Sequence, residues 1–93
     1  MENITTKIPE NMRQAISEKL TDIILNTQNI EKMPATLAKT ILRQWQNNQL
    51  NTEAGLQNLI QAAAVVDPEK TITSLEEVGL TELAQQLKTK EGA

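Results

Sequence analysis

The sequence predicts an all-α protein, a compact bundle of four main helices plus a short C-terminal helix. Three observations lead there. Apolar residues recur at three- and four-residue spacing through most of the chain. Pro9, Pro34 and Pro68 each open such a stretch, and proline is favoured at a first helical position because its missing N–H costs nothing there. No segment alternates apolar and polar residues convincingly; Thr71-Ile72-Thr73 comes nearest and is too short for a strand.

The first helix is expected from Pro9 to Thr27, with Met12, Ala15, Ile16, Leu20, Ile23 and Ile24 on one broad arc. Glu10 suits the positive end of its dipole. Leu25 points away from that arc, either packed beneath the following loop or exposed as an apolar contact point. A second helix, Pro34 to Asn48, gathers Leu37, Ala38, Ile41, Leu42 and Trp45 on one face, with Lys39 and Arg43 on the other. The amides Gln44, Gln46, Asn47, Asn48 and Gln49 would let its end fray. The short loop Gln28 to Met33 predicts that these two helices lie as antiparallel neighbours.

Thr52 reads as the N-cap of a third helix ending near Val66, with Leu56, Leu59, Ile60 and Ala63 facing inward. Gly55 in its first turn costs roughly 1 kcal/mol relative to alanine. Ala62 to Ala64 allow close helix approach, and Asp67-Pro68 stops one helix and starts the next. The fourth carries Ile72, Leu75 and Val78, and Gly79 suits a left-handed residue after its end. Thr81 caps the final helix, which turns Leu83, Ala84 and Leu87 inward under Leu80. Residues 1–7 and 88–93 are expected to be loose ends of a single domain spanning 1–93.

Composition narrows the chemistry. The 93 residues include no histidine, cysteine, tyrosine or phenylalanine, and one tryptophan. Histidine and cysteine dominate acid/base work, nucleophilic attack and transition-metal binding near neutral pH. Their absence argues against an enzyme and calls for no cofactor and no metal. No disulfide framework, secretory signal or apolar run longer than Ala62 to Val66 is present in this sequence, so a cytoplasmic protein that does not enter membranes is expected. The net charge of −3 is uneven, with six Lys/Arg against five Asp/Glu in residues 1–49 and three against seven thereafter. Seventeen residues are Asn or Gln, a polar surface compatible with contact at a wet interface.

The remaining candidate sites are few. Glu18 and Asp22 stand four apart on the polar side of the first helix, as solvated charges or as a pair for a divalent cation. The run from Asp67 faintly follows a calcium-loop pattern, but Ile72 and Val78 stand where glycine and a bidentate carboxylate are required. Lys39 and Arg43, with Lys32 just before, are the notable basic stripe; they suit solubility, an acidic patch on a partner, or weak contact with nucleic acid, which ordinarily demands a denser basic face. Trp45 is either the main core filler or an interface anchor.

The segments IPENMRQAISEKL, IEKMPATLAKTILRQWQ and SLEEVGLTELAQQL span most of the chain. They resemble the small all-helical proteins of crenarchaeal archaea, among which is an accessory subunit of the B-family DNA polymerase holoenzyme. The resemblance implies binding to a polymerase rather than polymerisation and brings no site residue with it. The function expected is a non-catalytic interaction module, monomeric or weakly oligomeric, that docks on a larger protein. Leu25, Lys39, Arg43 and Trp45 are its candidate partner-binding residues.

Overall fold

The computed structural model describes residues 8–92, and among them there are helices and turns but no strand. Five α-helices follow in order: α1 (Glu10–Asn26), α2 (Ala35–Gln46), α3 (Glu53–Val66), α4 (Pro68–Glu77) and α5 (Thr81–Gly92). A single 3₁₀ turn, Ile30–Lys32, lies between α1 and α2. The predicted helices are all present. The polar lead-in 1–7 and the terminal Ala93 lie outside the described residues, and α5 continues through Lys88 to Gly92 where a loose tail was expected.

Local chemistry sets the boundaries. Thr52 caps α3, its Oγ1 accepting the Gly55 N–H at 3.1 Å. Asp67 caps α4, its Oδ1 accepting the Lys70 N–H at 3.2 Å, and Pro68 is the first helical residue. Each such cap contributes about 1 kcal/mol by satisfying an otherwise orphaned donor. Pro9 and Pro34 sit one position earlier than expected, extended at ψ 145° and 140°, so their helices begin at the following residue. Gly79 adopts φ +89° after α4, and there the Leu80 N–H reaches back to the Leu75 carbonyl at 2.9 Å. Asn48 does the same for α2 at φ +56°, with the Gln49 N–H on the Gln44 carbonyl at 2.7 Å. These are two instances of one helix-closing motif, and asparagine is the side chain that tolerates the left-handed position best after glycine. The amide cluster therefore closes α2 rather than letting it fray.

α3 is the central helix. Leu56, Leu59, Ile60 and Ala63 are buried as predicted, joined by Ala62 and Val66. α1 supplies Ile16, Leu20 and Ile23, α4 supplies Leu75, and α5 supplies Leu83 and Ala84. Met12 and Ile24 pack at the edge of this core, while Ala15, on the same predicted arc, is exposed. Thr71 is fully buried, its hydroxyl satisfied by the Asp67 carbonyl at 2.8 Å.

The largest departure from expectation concerns α2. It does not pack closely against α1; α1 lies mainly on α3 and α4, and α2 leans mainly on α3. The cause is in the loop. Thr27 Oγ1 and Asn29 Nδ2 both donate to the Val66 carbonyl, at 3.3 and 3.1 Å, satisfying an end carbonyl of α3. This pins the 3₁₀ turn to the end of α3 and starts α2 there. At the other end, the Asn58 amide donates to Gln44 Oε1 at 3.1 Å. α2 thus runs back along α3, antiparallel to it. α1 runs parallel to α3, fastened at its start by Arg13–Glu53 at 3.4 Å and by Asn51 Nδ2 donating to Gln14 Oε1 at 2.9 Å. Two helices that travel in opposite directions over α3 are left standing apart.

Candidate functional site

The gap between α1 and α2 is an apolar groove of about 340 Å³. That is near the small end of the range for clefts that bury ligands, about 300–1,000 Å³. One wall is Ile24 and Leu25 of α1, and the other is Ala38, Ile41, Leu42 and Trp45 of α2. Ile30 and Met33 close one end, Leu50 stands at the other, and Leu59 of α3 forms the floor.

Periodicity explains the α2 wall: positions 38, 41, 42 and 45 fall on one stripe at helical spacing. The stripe is the one expected to face the core, but no residue of α2 is buried. Trp45 is 61% exposed and Leu42 51%. The reading of Trp45 as core filler is therefore corrected. With α1 set across the groove as its opposite wall, the indole is left open to solvent between them. Leu25 is 74% exposed, so it is not packed beneath the following loop. Scattered surface leucines need no explanation, but Leu25, Ile30, Leu42 and Trp45 are exposed together around one depression.

A polar cleft continues the groove past Trp45. It is lined on α1 by Gln14, Glu18 and Asp22 and opposite by Asn48 and Asn51. Thr21, Trp45 and Leu50 line both hollows, so the two are one surface. The Glu18 carboxylate accepts only the neutral Gln14 amide, at 2.9 Å, and no cation pairs Glu18 or Asp22 among the described residues. The cations in ion pairs elsewhere are Arg13 with Glu53, Lys19 with Glu77 and Lys88 with Glu76. Among the described residues no three carboxylates, or other ligating side chains, converge on a point where a metal could sit.

Of the predicted site residues, the structure brings Leu25 and Trp45 to the same groove. Lys39 and Arg43 are exposed on the outer face of α2, turned away from it. Glu18 and Asp22, read from the sequence as solvated charges or as a pair for a divalent cation, stand beside the indole. Ile30, Met33 and Leu50 were missed; each is an apolar residue inside a mostly polar connection, and that was the available signal.

Comparison with family models, with curated proteins and with solved structures finds no match to this chain. The fold and site define a class nonetheless: a helical bundle with an open apolar seam. No helix among the described residues is long and apolar enough to cross a membrane.

Proposed function

We propose that this chain is a non-catalytic protein-interaction module, an accessory subunit that docks on a larger protein through the α1–α2 groove. The observation that carries the reading is the exposed cluster of Leu25, Leu42 and Trp45 around a ready-made depression. A buried tryptophan inside a rim of polar groups is the usual centre of binding energy at such contacts, and here asparagine and glutamine side chains supply the rim. The composition supports the same reading, since the side chains most used for catalysis are missing. The resemblance to a polymerase accessory subunit makes a B-family DNA polymerase the first partner to try. Direct nucleic-acid contact has less support, because Lys39 and Arg43 face away from the groove and a phosphate-binding surface draws on several cations together.

The test is capture of a partner from native lysate and from purified B-family polymerase by the wild-type chain and by Trp45→Ala. A hot-spot tryptophan is worth about 2 kcal/mol or more, so affinity should fall roughly thirtyfold. Stability should change by no more than about 1 kcal/mol, because the side chain is largely in solvent. Unchanged capture by Trp45→Ala and by Leu42→Asp would remove the groove from the function. Unfolding of Trp45→Ala would return the indole to a structural role.

A further inference from the structure

Resting on the interaction-module reading, we infer that the occupant of the groove is a short amphipathic helix of the partner that carries a lysine or arginine beside its apolar ridge, set against Glu18 and Asp22. The shape specifies a helix. Both walls and the floor are helices, whose backbone groups are satisfied internally, so the groove offers no free edge to which an extended strand could add. A helix brings its own hydrogen bonds and needs only an apolar stripe. The α2 wall from Ala38 to Trp45 rises about 10 Å at 1.5 Å per residue, two helical turns. That length matches anchors at i, i+3 or i+4, and i+7 on the incoming segment. Such a helix would occupy the place beside α3 that a neighbouring member of the bundle would otherwise fill.

Charge specifies the rest. The groove opens past Trp45 onto two carboxylates that no cation neutralises among the described residues, and the other polar lining groups there are amides and hydroxyls. A partner cation at that end of the ridge meets opposite charge. A partner carboxylate meets repulsion, which sets register and excludes wrong partners. A second copy of this chain fits less well: a two-fold pairing sets the same patch against itself, and two concave grooves face to face leave both unfilled.

The experiment is selection from a displayed library of helical peptides about four turns long, against the wild-type chain and against the double variant Glu18→Lys/Asp22→Lys. Both positions are exposed on α1, so the charge reversal leaves the core untouched. The wild type should enrich an apolar i, i+3/i+4, i+7 ridge with Lys or Arg at one end. The double variant should enrich Asp or Glu at that place and bind the wild-type winners about five- to tenfold more weakly, with the gap narrowing in high salt. The same ridge selected without regard to charge reversal overturns the basic helix and leaves the interaction module standing. Winners that bind Leu42→Asp as well as wild type, or no enriched ridge, overturn both. Self-association of the free chain that occludes the groove assigns it to a second copy instead.

Discussion

Gly55→Ala is expected to lower the stability of the fold by about 2 kcal/mol, the scale of overpacking at a tight contact. The sign is informative, because helix propensity alone predicts a gain of about 1 kcal/mol for replacing glycine inside a helix. What reverses it is the closeness of the preceding loop. A Cβ at position 55 would strike the carbonyl oxygen of Gln49 and come within 2.8 Å of the Leu50 Cα. Both obstacles are backbone, so neither can swing aside like the end of a side chain. Urea unfolding followed by far-ultraviolet circular dichroism measures the loss; a stabilised variant would show that the loop yields. The contact also matters for the site. It presses the Gln49–Leu50 segment onto α3, and only Asn47 and Asn48 separate that segment from the end of α2, near which Trp45 stands.

The second large effect is expected at Leu59, which is 1% exposed yet forms the groove floor. Truncation to alanine removes well-packed methyl groups and should cost about 2–5 kcal/mol, a substantial part of the roughly 5–15 kcal/mol that holds an ordinary domain together. The same urea experiment checks it. Leu42→Ala, one wall up and half in solvent, should lose far less. Equal losses at the two positions would mean that the groove is closed in solution and its walls belong to the core.

Much of this architecture was legible in the residues. Thr52, Asp67-Pro68 and Gly79 mark chain reversals through chemistry that acts within four or five residues, so no knowledge of the rest of the fold is needed to read them. Leu56, Leu59, Ile60 and Ala63 were read as inward-facing for a related reason: an apolar arc on a helix with few charges leaves little choice of side. The stripe on α2 shows where such reading stops. Periodicity states that one face wants to leave water, and it says the same whether the cover is the chain's own core or another molecule. The decision was made by Thr27 and Asn29, two small polar residues whose bonds to Val66 direct α2 along α3 and away from α1. Nothing local in those two letters announces a contact nearly forty positions away. Leu25 was readable as off-pattern, but its partnership with Trp45 across the seam depends on that same remote tie. Glu18 and Asp22 were visible as a pair, and their place at the mouth of an apolar hollow was not.

Setting the chain's one indole on an exposed rim, outside an interior without aromatic side chains, has an optical consequence. Its emission in the free folded protein should lie near that of the denatured chain, so fluorescence followed through a urea titration will change little while the dichroic signal collapses. The same fluorophore should move to the blue when a dry surface settles over it. The molecule thus carries a native reporter that is nearly blind to its folding and sensitive to its company.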